Sequence, residues 1–163
     1  MPYPVANTLL DAAYPKGALN YWKSSFIKSL NDGLIDTAVE AFASTPSAMT
    51  GIALEYFHGA ATRVGVIDTP VPHREEGYSL LMTSVWTEPE ATEENIAWTR
   101  TWYDAFRPYL AERRWLNYLV DDDGADAIRA AYGPNYDRLV EAKRRYDPAN
   151  VFRLNHNIDP AAT

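Results

Sequence analysis

The sequence predicts an α+β fold: an antiparallel β-sheet with helices packed on one face, followed by C-terminal helices and an extended tail. Three observations carry this. Aromatic and alternating runs are interleaved with amphipathic helical stretches, proline- and glycine-bearing breaks separate them at short intervals, and the C-terminal part is cut into two short helices by Gly133-Pro134 and Asp147-Pro148. With 163 residues and 47% apolar content, the chain suffices for one ordinary domain and is too short for a cofactor domain plus a separate substrate domain.

The elements follow in order. Residues 1–17, with Pro2, Pro4 and Pro15, show neither strand nor helix period and read as an extended arm. Residues 19–26 carry the aromatic enrichment of a strand, and Asn31-Asp32-Gly33 then supplies a break with Asp32 as candidate N-cap. A helix is predicted over 34–43, because Leu34, Ile35, Ala38, Val39 and Phe42 share one helical face and Pro46 bars continuation. That apolar stripe has to pack on something.

Residues 49–57 alternate as a strand, with Ile52, Leu54 and Tyr56 on one face and Ala53, Glu55 and Phe57 on the other. A kinked connection follows over 59–77, where Pro70 and Pro72 are barred from a central ladder but 63–67 has the length of a short strand. Residues 78–86 form the next strand. A helix is expected over 95–110, with Trp98, Trp102, Phe106 and Tyr109 about one turn apart; a stacking platform is one reading, and the helix's buried face is the one that the spacing favours. Residues 115–120 read as a short apolar strand leading into Asp121-Asp122-Asp123-Gly124, a solvated turn that lacks the calcium-loop pattern because residue 119 is Leu. Helices over 126–132 and 136–146 precede an extended tail, 149–163.

Composition narrows the function classes. Fifteen basic against 22 acidic residues give a formal charge of −7, a poor start for binding nucleic acid. No run approaches the ~18 apolar residues of a membrane span and the first residues lack a signal-peptide pattern, so a soluble, by default cytoplasmic, protein is expected. With no Cys there is no disulfide, thiol nucleophile or cysteinyl cofactor bond, and the three histidines, His58, His73 and His156, are not spaced as metal ligands, so no metal site is expected.

The run YDRLVEAKRRYDPANVFRLNHNI, residues 136–158, closely resembles the C-terminal signature of berberine-bridge-type FAD-linked oxidases. Upstream segments resemble that family in its order: Tyr21-Trp22-Lys23-Ser24, Leu54-Glu55 to Gly59-Ala60, Thr69 to His73-Arg74, Asn95-Ile96-Ala97-Trp98 and Asn117-Tyr118. The resemblance covers nearly the whole chain. It implies a two-part flavoprotein, of which residues 1–120 are a partial substrate-binding domain and 121–163 the C-terminal segment that returns to the FAD domain. The N-terminal FAD-binding domain, with its glycine-bearing pyrophosphate loop and its covalent attachment histidine, is not in these residues.

The resemblance also assigns roles. Tyr118 matches the tyrosine of an Asn-Tyr motif that faces the flavin and removes the substrate's hydroxyl proton while hydride passes to the ring. A free tyrosine has a pKa of about 10, so this role requires neighbouring positive charge or donors to lower it; the bland alternative is a strand aromatic. Asn155 and Asn157 lie where the family's tail passes the flavin and are cofactor-binding candidates, or else they cap turns. Trp22 and Asn117 are substrate-binding candidates; Trp22 and Lys23 must face opposite ways, so only one can enter a pocket. Some plant relatives carry a second catalytic carboxylate on the strand matching 78–86, around Ser79. No acid lies on that strand here, which favours tyrosine-only chemistry. Relatives often have Gly-Gly where this chain has His58-Gly59, introducing a side chain at a tight point.

The function implied is the C-terminal part of an FAD-dependent oxidoreductase that oxidises a hydroxyl-bearing small molecule and needs a separate FAD-binding domain or subunit, the isolated chain being inactive. The alternative is a non-catalytic relict, or a module for small-molecule binding or dimerisation. In isolation, the apolar sheet face left without its cofactor domain favours a homo-oligomer.

Overall fold

The computed structural model describes residues 1–120 and 123–162. Asp121 and Asp122 of the expected acidic turn lie outside the described residues. The strands are β1 (Leu19–Phe26), β2 (Gly51–Phe57) and β3 (Gly77–Trp86), and the helices α1 (Tyr3–Ala6), α2 (Asp32–Ala43), α3 (Thr92–Phe106), α4 (Ala125–Tyr132) and α5 (Tyr136–Tyr146). The strands make one antiparallel sheet in the order β1-β3-β2, with Leu19 opposite Trp86 and Phe26 opposite Ser79 on one side of β3, and Gly51 opposite Thr83 and Phe57 opposite Gly77 on the other.

β3 takes the centre because it carries no charge and is apolar or small on both faces, so both can be covered. Leu80 and Met82 point to one side and join a core with Leu34 and Ala41 of α2 and Trp98 and Phe106 of α3. Burial of each large side chain in that core stabilises by about 1.5–3 kcal/mol. The polar members are paired: Ser84 Oγ donates to the fully buried Asn95 Oδ1 at 2.8 Å, and Trp98 Nε1 donates to the Ala41 carbonyl at 3.3 Å, tying α3 to α2. The aromatic stripe of α3 is therefore core, with Trp102 and Tyr109 half-buried beside it. Both large helices cover the same side of the sheet, which leaves its other face for the site.

Five details differ from the sequence-based expectation. The arm is not extended throughout: residues 3–6 and 11–13 make helical turns, since Pro4 sits in a first turn where a missing N–H goes unnoticed. The cap of α2 is Asn31, whose Oδ1 accepts from the Leu34 amide at 3.0 Å, while Asp32 is the first helical residue. Residues 63–67 form no strand; a tight turn over Gly59–Arg63 is followed by a loop closed by the Asp68 carboxylate on the Gly65 amide. The α3 helix ends at Phe106 and tightens into one further turn at Arg107–Tyr109. Residues 115–120 likewise form no strand but a turn over Leu116–Tyr118. The edge of β1 that they would need is already taken near its end, where the Ala111 amide donates to the Phe26 carbonyl at 2.7 Å and the Phe26 amide to the Arg113 carbonyl at 3.3 Å.

The His58-Gly59 pair resolves simply. His58 is extended, at φ −159°, and its ring stacks on Tyr56 at 4.4 Å, while Gly59 takes the left-handed φ of +71°. At the C-terminus, Asn135 Nδ2 donates to the Val66 carbonyl at 2.9 Å and docks the start of α5 on the connection before β3. The tail then folds back, as Arg144 Nε donates to the Pro160 carbonyl at 2.6 Å.

Candidate functional site

Glu55 and Ser79 stand opposite each other in the β2–β3 register, so both side chains project from the face turned away from α2 and α3, with Phe57 two residues along. The chain after β1's edge crosses this face. Trp115 packs on Phe26 at 5.5 Å and edge-on to Phe57 at 5.7 Å, and the turn that follows lowers Asn117 and Tyr118 beside them. Between crossing segment and sheet lies a cavity of about 470 Å³, bordered by Glu55, Phe57 and Ser79 below and Trp115, Asn117 and Tyr118 above.

Tyr118 Oη donates a hydrogen bond to Glu55 Oε1 at 3.0 Å. Burial first, then the Glu55 charge, then that hydrogen bond, with Tyr14 adding a little, push the Tyr118 phenol up to about 12. This is the reverse of the lowering that a free-standing tyrosine base requires. A phenol so held stays protonated at ordinary pH and points its proton at a carboxylate, which makes the pair a relay rather than a lone base.

Trp22 stands 6.2 Å from the Tyr118 ring and 5.2 Å from Tyr14 of the arm, so it faces the cavity side without lining the cavity. Lys23 takes the other face, where Nζ pairs with Asp123 at 3.0 Å. Behind Trp115, His73 is buried between Phe26 and Trp115 at 4.7 and 4.9 Å, and burial lowers its pKa. Three buried polar atoms on this face, Trp22 Nε1, Ser24 Oγ and Ser79 Oγ, find no hydrogen-bond partner among the described residues. A buried polar group without a partner costs about 1–3 kcal/mol; of these three residues Ser79 borders the cavity, with its Oγ closed off from solvent.

Tyr118, Asn117 and, one ring away, Trp22 are thus gathered at one place. Asn155 and Asn157 are not among the residues bordering the cavity. Asn155 is exposed with a left-handed φ of +57° and its carbonyl accepts from the Asn157 amide at 3.0 Å, the geometry of a turn; Asn157 Oδ1 is buried without a partner among the described residues. The residue that sequence reasoning passed over is Glu55. It stands on the strand beside β3, opposite Ser79, and the signal was present in the alternation that sets Glu55 and Phe57 on the face opposite to Leu54. Among the described residues no group of three carboxylates or histidines is placed to hold a metal ion, and no helix is long and apolar enough to cross a membrane.

Residues 115–159 match the family model described as berberine and berberine like. An FAD-linked oxidoreductase of Dictyostelium discoideum is 28% identical over 163 residues, covering 98% of this chain and 35% of that protein. Berberine bridge enzyme-like 12 of Arabidopsis thaliana is 32% identical over 126 residues, covering 67% of this chain and 24% of its own length. The chain belongs to the berberine-bridge-type FAD-linked oxidoreductase family. It corresponds to a C-terminal portion and spans about a quarter to a third of the length of the curated relatives it matches. The fold agrees: berberine bridge enzyme from Eschscholzia californica superposes with a TM-score of 0.80 at 23% identity, over 90% of this chain and 34% of that one. Berberine bridge enzyme-like 28 of Arabidopsis thaliana gives 0.81 at 20% identity over 88% and 34%.

Proposed function

We propose that this chain is the substrate-side wall of an FAD-dependent oxidoreductase that oxidises a hydroxyl-bearing small molecule, acting with a separate FAD-binding domain. The observation that carries the reading is the Tyr118–Glu55 hydrogen bond inside a cavity on the sheet face opposite α2 and α3. The residues present suit one side of a flat heteroaromatic ring: Phe57 and Trp115 offer apolar surface, and the Asn117 side chain can both donate and accept. Bound FAD supplies the two-electron acceptor. Asn157, whose Oδ1 lacks a partner on the tail, is assigned to the contact with the FAD-binding domain, together with Asn155.

The chemistry of the chain's own residues is proton handling. The substrate hydroxyl donates to Tyr118 Oη; as its proton moves onto Tyr118, the phenol's proton passes to Glu55 Oε1. With the proton held on Glu55, the alkoxide would be poised to give up its carbon-bound hydrogen with both electrons and become a carbonyl, bound FAD being the group that would accept them. The relay explains why a phenol held at about 12 is serviceable: it never has to exist as free phenolate. Asn117, bordering the cavity, and Trp22, beside the Tyr118 ring, orient the substrate.

Co-expression with the FAD-binding portion of the Dictyostelium relative, followed by oxidation of a panel of alcohols and sugars, tests this. Tyr118→Phe and Glu55→Gln are each expected to lower turnover by about 10²–10⁴. Wild-type turnover in Tyr118→Phe refutes the assignment.

A further inference from the structure

Behind the Tyr118 cavity four rings of this chain close on one another. Trp115, which borders the cavity, packs on Phe26 at 5.5 Å, edge-on to Phe57 at 5.7 Å and edge-on to His73 at 4.9 Å, while His73 itself lies 4.7 Å from Phe26. Backbone hydrogen bonds tie the crossing segment to the end of β1 at Ala111 and Arg113. Trp115, two residues on, is held by the three rings, and with it the upper wall of the cavity. His73 is only 2% exposed. For filling that space a phenyl group would serve better, because His73 Nδ1 is buried without a partner among the described residues, at a cost of about 1–3 kcal/mol. What the imidazole adds is the ability to take up a proton.

We propose that His73 is a positioning residue: as a neutral imidazole it holds Trp115 over the Tyr118–Glu55 pair, and on protonation it lets that wall lift. The charges around it favour the neutral form in this place. From the crossing segment, the Arg113 guanidinium lies 4.7 Å over the Phe26 ring, so that ring already carries a cation. Arg114 faces the imidazole with its backbone, its own guanidinium lying over the Tyr103 ring. From the connection that bears His73, Arg74 stands close by and donates to the Ala61 carbonyl at 2.9 Å. The neighbouring acid, Glu75, is 79% exposed and pairs with Arg113 at 3.2 Å. The two strands contribute Phe26 and Phe57, which carry no charge. A proton on His73 therefore adds a buried positive charge beside two guanidiniums.

The titration of His73 agrees. Burial is the largest cause that holds its pKa below the ordinary 6.5; a backbone hydrogen bond with Arg114 works against it, and the Arg113 and Arg74 charges add to the lowering. Once Trp115 moves off Phe26 and Phe57, water reaches the cavity, and the burial that is the main cause of the raised Tyr118 pKa weakens. The consequence for turnover rests on the proton-relay reading of that pair. The placement of Trp115 does not, since it concerns only contacts within this chain.

The wild-type chain is titrated by NMR from about pH 8 to about pH 4, following the His73 imidazole, the Trp115 indole and the Tyr118 ring, each assigned through its own backbone. The His73 midpoint is expected below 6.5, with the Trp115 and Tyr118 resonances moving at that same midpoint while the other amides keep their dispersion. In His73→Phe, which keeps a ring in place and takes up no proton, Trp115 and Tyr118 are expected to hold still over the same range. In His73→Ala the wall is loose at every pH, and the Tyr118 midpoint is expected to fall from about 12 by about one unit, a tenfold gain in phenolate at a given pH. Trp115 and Tyr118 resonances that stay fixed while His73 titrates, or that move alike in His73→Phe, overturn the proposal. So does a His73 midpoint at or above 6.5, or a loss of all amide dispersion at that midpoint, which assigns the residue to the whole fold. The wild-type titration decides the matter even where a variant does not fold. With an FAD-binding domain supplied, kcat/KM is expected to fall on the acid side at the His73 midpoint and not in His73→Phe; an identical acid limb in both overturns the catalytic consequence. Full turnover in Tyr118→Phe refutes the relay and leaves the Trp115 result standing.

Discussion

Replacing Glu55 with Gln keeps an oxygen of similar reach beside Tyr118 and removes the charge. The wild-type phenol sits at about 12 against an ordinary value of 10.0, so at a given alkaline pH about a hundredfold less of it is ionised. Burial is the largest cause and survives the substitution; the charge and the acceptor strength of Glu55 do not. The midpoint is therefore expected to fall by about one unit and to remain above 10, a tenfold gain in phenolate. Tyrosine ring-carbon NMR against pH, with the resonance assigned by its loss in Tyr118→Phe, measures it. The same shift has a stability consequence. A folded-state pKa above the unfolded one stabilises fully below the unfolded value and is lost as pH rises through the folded one, so Tyr118 withdraws its contribution between about pH 10 and 12. Tyr103 and Tyr132, raised by burial, act in the same direction, so the comparison is with Tyr118→Phe, whose alkaline melting is expected to be shallower. An unchanged midpoint in Glu55→Gln, or a wild-type midpoint at or below 10, refutes the electrostatic account of the pair.

Other perturbations test the frame that holds the site. Phe106, fully buried between α2, α3 and the sheet, is expected to cost about 3–5 kcal/mol on truncation to Ala, read from urea unfolding. Asn31→Ala is expected to cost about 1 kcal/mol by freeing the Leu34 amide, whereas Asp32→Ala keeps that bond; the reverse order contradicts the cap assignment. Asp147 accepts from the Val151 and Phe152 amides and pairs with Lys143, which with those amides lowers its pKa. Its hold on the tail is therefore present above the ordinary carboxylate value and lost as pH falls through the lowered one. Asp147→Asn is expected to speed amide exchange at 151 and 152 near neutral pH, and unchanged exchange removes the carboxylate from that role.

Much of the frame was legible in local patterns. Residues 19–26 became β1 because an aromatic-rich run bounded by turns has few other uses, and the stripe of α3 became core because four large rings at helical spacing cannot all stay wet. What misled were short segments whose state depends on distant partners. Residues 115–120 carry a strand's composition, yet the adjoining edge was already bonded to 111 and 113, so they turned instead. The site was legible in halves. Alternation put Glu55 and Phe57 on one face, and the Asn-Tyr motif singled out Tyr118, but their meeting depends on a strand order and a chain crossing that no local pattern encodes. The stripe of α2 has to pack on something, yet Ile35, Val39 and Phe42 stay exposed, because amphipathicity shows that a face wants cover and not whether the same chain covers it.

The measurement closest to the central claim places flavin against the Tyr118 cavity. An FAD-loaded FAD-binding domain from a relative is mixed with this chain while flavin fluorescence and the Tyr118 ring resonance are followed together. The account predicts quenched flavin emission with a shifted Tyr118 signal, both abolished by Ser79→Trp, which fills the cavity. Flavin emission and a Tyr118 resonance that stay as they are in the separate proteins, although the two associate, contradict it.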